Sequence, residues 1–232
     1  MNIVVFGANG PTGRQVTAQA LAEGHTVTAV TRRPERFPAG EARLRVAGAD
    51  VFDPAAVSRA VAGQDAVIST LGVPYGRKPV TVYSAGVTAI SRAMTEHGVR
   101  RLVCVSSTVL FRVAAPGETF FFRKVVEPAI ARTVGRTVYE DMRRMEETVR
   151  DGDHRWTVVR PAGLFDADAV SDYQVATSRL PGRFTSRADL GAALLREAVD
   201  DRHVRAFVDV RTTEGVPGIL DVIRKEAFGG RG

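Results

Sequence analysis

The first thirteen residues, Met-Asn-Ile-Val-Val-Phe-Gly-Ala-Asn-Gly-Pro-Thr-Gly, leave this chain few folds to choose from. Ile3 to Phe6 is an unbroken apolar run, the pattern of a strand buried on both faces of a parallel sheet. Gly7, Gly10 and Gly13 follow at once, and Val16, Ala20 and Leu21 then recur at helical spacing. Strand, glycine turn and helix in that order build a cradle for phosphate. Gly7 permits a turn that a side chain would block, and Gly10 lets the backbone close on a pyrophosphate. Gly13 lets the helix pack tightly on the strand, with its N-terminal amides facing the anion. The spacing is Gly-x-x-Gly-x-x-Gly rather than the commoner Gly-x-Gly-x-x-Gly, so its weight comes from sitting between strand and helix.

The same rhythm continues down the chain. Further strands are expected at His25–Thr31, Arg43–Ala47, Asp65–Thr70, Arg101–Ser106, Trp156–Val159 and Val204–Val210. Helices should open at Asp53-Pro54 with an aspartate cap, run from about Val80 to His97 before Gly98, and start after Ser186 and run to about Val199. Another carries Val138, Met142, Met145 and Val149 toward the core, with Tyr139 and Arg143 one turn apart on a different face, and a last helix is expected over Val216–Phe228. Alternating strands and helices specify a Rossmann-type, doubly wound parallel α/β sheet. The reading is one domain over 1–232, with a small substrate cap from about 111–138 and a loop-like 162–185.

Ligands of such sheets bind off the carboxyl ends of the strands, and several residues fall there. Thr31-Arg32-Arg33 closes the second strand, where an acid would favour a free ribose 2′-hydroxyl. Arg32 and Arg33 offer guanidinium forks to a 2′-phosphate instead, which selects NADP(H); the plainer alternative is a solvated loop. Asp50 either accepts from an adenine amino group or caps a turn. Thr70-Leu71-Gly72 ends the fourth strand, with a small residue for close approach. Ser106-Ser107-Thr108 ends the fifth, and its three hydroxyls could bond a nicotinamide or a substrate carbonyl, or simply form a turn. Phe111 to Val138 breaks the rhythm and holds Phe120, Phe121 and Phe122, a lid or substrate wall or else a partner surface.

Composition narrows the rest. At 44% hydrophobic over 232 residues the chain can bury one large core. Neither a membrane-length apolar run nor a basic-then-apolar leader is present, so no membrane partner is expected. A single cysteine, Cys104, excludes a disulfide framework, suits the cytoplasm and fits a core position. Four scattered histidines share no ligand spacing, so no metal is expected. The net charge of +6 is spread as arginines among acids, without a basic block, so nucleic acid is not an expected partner.

Taken together, residues 7–13, 31–33, 69–72 (Ser-Thr-Leu-Gly), 105–108 (Val-Ser-Ser-Thr), 157–161 (Thr-Val-Val-Arg-Pro) and 185–191 (Thr-Ser-Arg-Ala-Asp-Leu-Gly) resemble the atypical short-chain dehydrogenase/reductase superfamily. Within it the chain is most similar to the NAD(P)H-binding group that includes NmrA-like proteins and flavin (biliverdin-IXβ) reductases. The resemblance implies NADP(H) held by Gly7, Asn9, Gly10, Pro11, Thr12, Gly13, Arg32 and Arg33. It implies further contacts from Asp50, Val51, Thr70, Leu71 and Gly72, with Ser106 and Ser107 near the nicotinamide and Pro161 near its carboxamide. The superfamily's usual acid is a tyrosine four residues before a lysine; here Tyr139 precedes Arg143, a different donor. The expected activity is NADPH-dependent hydride transfer to a flat aromatic acceptor such as a flavin or quinone, with Ser107, Thr108 and Tyr139 as candidate catalytic groups. The alternatives are an NADP(H)-sensing regulator that binds a protein partner and, more distantly, a nucleotide-sugar epimerase. The expected assembly is a monomer or homodimer.

Overall fold

The computed structural model describes residues 1–38, 40–74, 76, 78–111 and 135–218. Ten strands are described: β1 (Asn2–Phe6), β2 (Thr26–Thr31), β3 (Leu44–Gly48), β4 (Ala66–Ser69), β5 (Arg101–Val105), β6 (Arg155–Pro161), β7 (Gly163–Phe165), β8 (Tyr173–Ala176), β9 (Phe184–Ser186) and β10 (Ala206–Thr212). The α-helices are α1 (Pro11–Ala22), α2 (Pro54–Val61), α3 (Val82–His97), α4 (Arg136–Asp151) and α5 (Arg187–Val199).

Eight strands form one sheet in the order β3-β2-β1-β4-β5-β6-β10-β8. Seven run parallel, and β8 pairs antiparallel with β10, Val210 opposite Val175. The apolar runs of β1, β4 and β5 exist because both faces are covered. Val4 and Phe6 face a core shared with α2, α3 and α4, while Ile3 and Val5 face one shared with α1 and α5. Leu102 and Cys104 belong to the first core and Val103 to the second. Strand order reverses between β1 and β4, which puts the glycine turn after β1 at the switch point where such sheets bind ligands.

The helix caps follow their sequence signals. Asp53 Oδ1 accepts from the amides of Ala55 and Ala56 at 3.0 and 3.2 Å, with Pro54 at the first position of α2. Ser186 Oγ accepts from Asp189 N at 2.9 Å. Gly98 ends α3 in the left-handed region at φ 69°.

Three expectations need correction. The segment 162–185 is not simply a loop: β7 and β9 pair as a small parallel sheet, and β8 extends the main sheet at its edge. Strand β6 runs on through Arg160 and Pro161, and the last strand is shifted to Ala206–Thr212. Tyr139 lies on the buried side of α4 beside Val138 and Met142, because that stripe is wider than the four residues that announced it. The phenylalanines at 120–122, most of the first cap segment and nearly all of the expected last helix lie outside the described residues.

Candidate functional site

The glycine turn is built so that two of its three glycines are sterically required. Gly7 has φ 77°, and a Cβ there would sit 2.7 Å from the Thr70 carbonyl oxygen. A Cβ on Gly13 would overlap the Gly7 carbonyl and stand 2.7 Å from Ala8 Cα, so α1 lies directly on the turn. Gly10 is different. Its Cβ would meet only Gly7 O, at 3.3 Å, so crowding from the protein is not what calls for a glycine there. Gly10 is the N-cap of α1 in an extended conformation, Pro11 takes the first helical position, and no side chain caps the helix. Its first turn holds no acid, so the amides of Thr12 and Gly13 end α1 as an anion site without a protein counter-charge. Asn9 is tied down by Arg14, which donates through Nε to the Asn9 carbonyl at 3.3 Å and through Nη2 to its Oδ1.

Beyond β2 the two arginines are exposed, and neither guanidinium pairs with a carboxylate among the described residues. The Arg33 amide donates to Thr31 Oγ1 at 3.1 Å, and Arg33 caps a short 3₁₀ turn, Pro34–Arg36. The adjoining β3 loop is fastened by Ala49 N donating to Thr31 O at 3.1 Å. Asp50 makes a turn there: its Oδ1 accepts from Phe52 N at 3.1 Å and its carbonyl from Asp53 N at 3.0 Å. Val51 is buried in the core, within 3.5 Å of where a Cβ on Gly86 would be.

At the other end, β1, β4, β5 and β6 are successive neighbours, so Gly7, Thr70, Ser106 and Pro161 line up along their carboxyl ends. Thr70 donates both its amide and its Oγ1 to the Phe6 carbonyl, each at 2.9 Å; Leu71 is half-buried and Gly72 exposed. The Ser106 amide donates to Val159 O at 2.8 Å, but its Oγ, on a residue 3% exposed, has no partner among the described residues. Ser107 is half-buried, and its Oγ accepts from Val109 N at 3.3 Å. Thr108 is buried, and its carbonyl accepts from Arg179 Nη1 at 2.9 Å. Tyr139 is 7% exposed within the apolar core, whereas Arg143 is exposed. An apolar depression of about 540 Å³, lined by Val73, Pro74, Gly76, Lys78 and Val80, opens just after Gly72.

Sequence reasoning missed a set of buried charges beside these strand ends. Arg160 forms a two-pronged ion pair with Glu146 at 2.8 and 2.6 Å, and its guanidinium stacks on Phe111 and Phe207. Asp209 bonds Arg211 Nη1 and the Leu180 amide, and Arg179 lies 4.0 Å away. Burial pushes the Asp209 carboxyl above the ordinary carboxylate range, against the opposing pull of Arg211. The available signal was Asp209 and Arg211 alternating with Val208 and Val210 inside a strand. Among the described residues no cluster of three histidine, cysteine or acidic side chains could hold a metal, and no helix is long and apolar enough to cross a membrane.

These features suit a dinucleotide. The uncapped helix end suits a diphosphate, the exposed guanidinium pair a further phosphate, and the buried Ser106 hydroxyl a polar group of the ligand. Comparison with known proteins agrees. A family profile described as NAD(P)H-binding matches residues 7–208. An uncharacterised Mycobacterium tuberculosis protein is 29% identical over 243 residues, 96% of this chain and 27% of the relative, so the chain spans about a quarter of that protein's length. A (4-alkanoyl-5-oxo-2,5-dihydrofuran-3-yl)methyl phosphate reductase of Streptomyces griseus is 32% identical over 160 residues, 68% of this chain and 46% of the relative. Among solved structures, a Veillonella parvula short-chain dehydrogenase/reductase in complex with NADP superposes with a TM-score of 0.75, at 18% identity, over 92% of this chain and 95% of that one.

Proposed function

This chain belongs to the NAD(P)H-binding family, and from that premise we propose that it is an oxidoreductase delivering hydride from NADPH to a flat aromatic acceptor such as a flavin or quinone. The observation that carries the reading is the exposed Arg32–Arg33 pair, which has no acidic partner among the described residues and follows β2, the neighbour of the strand that leads into the glycine turn. Gly7, Asn9, Gly10, Pro11, Thr12 and Gly13 hold the diphosphate, and Arg32 and Arg33 the 2′-phosphate. The turn at Asp50, with Val51, borders the adenine. Thr70, Leu71, Gly72, Ser106, Ser107 and Pro161 border the nicotinamide.

The bound dinucleotide supplies the hydride; the chain's task is placement and polarisation. Ser107, half-buried just beyond the carboxyl end of β5, takes the polarising role ahead of Thr108 and Tyr139, which are buried. With Arg143 exposed and in the usual lysine's place, the compensating proton comes from solvent rather than through a tyrosine–lysine pair. The Streptomyces relative, named as a reductase of a dihydrofuranyl methyl phosphate, supports reduction as the reaction type.

The test is a titration with NADPH and NADH, followed by NADPH oxidation against a panel of flavins and quinones. Tighter binding of NADPH with turnover of at least one panel member is expected. Binding without any turnover would replace this reading with the sensor alternative, and no binding up to millimolar ligand would remove both.

A further inference from the structure

We infer that Arg14 is a positioning residue for cofactor choice: it clamps the glycine turn to the basic loop and so sets where Arg32 and Arg33 stand. This inference rests on the NADPH reading above, and it concerns a residue that reading does not use.

The geometry is a bridge. Arg14 leaves the first turn of α1 and reaches backward to Asn9, donating to its carbonyl and to its Oδ1. The same Nη2 donates to the carbonyl of Arg36 at 3.1 Å, across 22 residues of chain. The guanidinium also lies over the Phe37 ring, 5.5 Å from its centroid, within reach of a cation–π contact. Phe37 is 8% exposed and packs in the core behind β1 and β2, so it is a fixed floor for the guanidinium.

Fixing Arg36 and Phe37 fixes the arginines upstream. The connecting turn is short and closed by its own bonds: Arg36 N to Arg33 O at 3.1 Å, Phe37 N to Pro34 O at 3.1 Å, and Arg33 N to Thr31 Oγ1 at 3.1 Å. Pro34 removes one backbone freedom at its start. Arg32 and Arg33 are exposed and have no acidic partner among the described residues. The Ala8 amide, which donates to Val30 O at 3.2 Å, ties the turn to β2 ahead of their loop, and the Arg14 bridge ties it to the loop's far end. A planar fork can satisfy Asn9 and Arg36 together while its central carbon lies over the Phe37 ring; a lysine ammonium, a single point donor, cannot reproduce that arrangement. The diphosphate itself is held by glycine-turn amides common to both dinucleotides. Loosening the clamp should therefore cost the phosphorylated dinucleotide more.

The experiment compares wild type, Arg14→Ala, Arg32→Ala/Arg33→Ala and the triple variant, each titrated with NADPH and with NADH, with thermal melts as the folding control. Arg14 is exposed, so folding should be kept. Arg14→Ala should weaken NADPH about tenfold, the scale of one charge-assisted hydrogen bond misplaced, and NADH by less than about threefold. The triple variant should bind NADPH as Arg32→Ala/Arg33→Ala does, because Arg14 acts through those two. Arg14→Lys should behave like Arg14→Ala. Equal losses for both dinucleotides, multiplying losses in the triple variant, or full NADPH preference in Arg14→Lys would each overturn the clamp while leaving the NADPH reading intact. A wild type that binds both dinucleotides alike would overturn the NADPH reading and the clamp with it.

Discussion

Glu146 and Arg160 meet as a two-pronged pair between α4 and β6, Arg160 Nε 2.8 Å from Oε1 and Nη2 2.6 Å from Oε2. The side chains are 8% and 11% exposed, and the guanidinium lies 4.6 Å from the centroid of Phe111 and 4.2 Å from that of Phe207. Removing the carboxylate strands a buried cation against two rings. Glu146→Ala should therefore cost about 3–5 kcal/mol, more than an exposed pair could. Replacing both, Glu146→Leu with Arg160→Met, should recover much of that loss. Urea unfolding of wild type, Glu146→Ala, Glu146→Leu, Arg160→Met and the double variant measures it. If the double variant is as unstable as the two single losses added, the pair contributes nothing as a pair.

What could be read from the chain and what could not follows from how local each signal is. The β1–turn–α1 unit, the Asp53 and Ser186 caps and the Gly98 stop are each decided within a few residues, and all are found in place. Strand β8 was not legible. Tyr173 to Ala176 is short, and it becomes a strand only by pairing with Asp209–Thr212, more than thirty residues on. The buried charges were hidden for the same reason. Glu146, Asp141, Arg160, Asp209 and Arg211 resemble any other charges in an arginine-rich chain until the sheet brings their partners within bonding distance. Tyr139 was misplaced because four apolar residues marked only the middle of a broader stripe. For the candidate site, residue types and strand ends were legible, but the Arg14 bridge was not, since it joins Asn9 to Arg36.

Gly10 and Gly13 should separate binding from stability. A Cβ at 13 collides with the backbone of Gly7 and Ala8, so Gly13→Ala forces α1 away from β1 and should lower stability by roughly 1–3 kcal/mol or more, as overpacking does. A Cβ at 10 meets only one carbonyl oxygen, at 3.3 Å, and its φ of −71° suits any residue. Gly10→Ala should melt within a few degrees of wild type yet lose most dinucleotide affinity, because on the proposed reading the methyl group would stand between the backbone and the diphosphate. Paired melting and titration check both. Unchanged NADPH affinity in Gly10→Ala would count against the cradle.

Cys104 is fully buried in the α2/α3/α4 core, and burial pushes its thiol up to about 12, with Arg101 pulling weakly the other way. The folded protein therefore keeps the proton while an unfolded chain loses it near the ordinary value. The thiol's contribution to stability is intact below about pH 9 and falls by roughly 1.4 kcal/mol per pH unit above it, up to the raised value. At pH 8 a thiol reagent should label Cys104 only as fast as the protein opens, and denaturant should accelerate labelling to the free-thiol rate. Immediate labelling of the folded protein at pH 8 would contradict the burial.

Asp141 caps a helix that is not its own. It is 0% exposed on α4, and its Oδ2 accepts from the amides of Tyr83 and Ser84 at the start of α3, at 2.9 and 3.4 Å. Its Oδ1 accepts from Ser84 Oγ and from Arg144 Nη2. Thr81, the residue in the N-cap position, makes no side-chain capping bond. The first turn of α3, which follows the Gly72 loop of the candidate site, is therefore held from across the fold. Asp141→Ala should cost about 2–4 kcal/mol, combining a lost cap with buried amides left without acceptors. Asp141→Asn keeps one acceptor oxygen and should fall between, whereas Thr81→Ala should change stability by less than about 0.5 kcal/mol, since an exposed residue with no capping bond has little to lose. Hydrogen exchange at the Tyr83 and Ser84 amides reads the cap directly: protection should collapse in Asp141→Ala and survive in Thr81→Ala. Protection that survives in Asp141→Ala and collapses in Thr81→Ala would assign the capping to Thr81 instead.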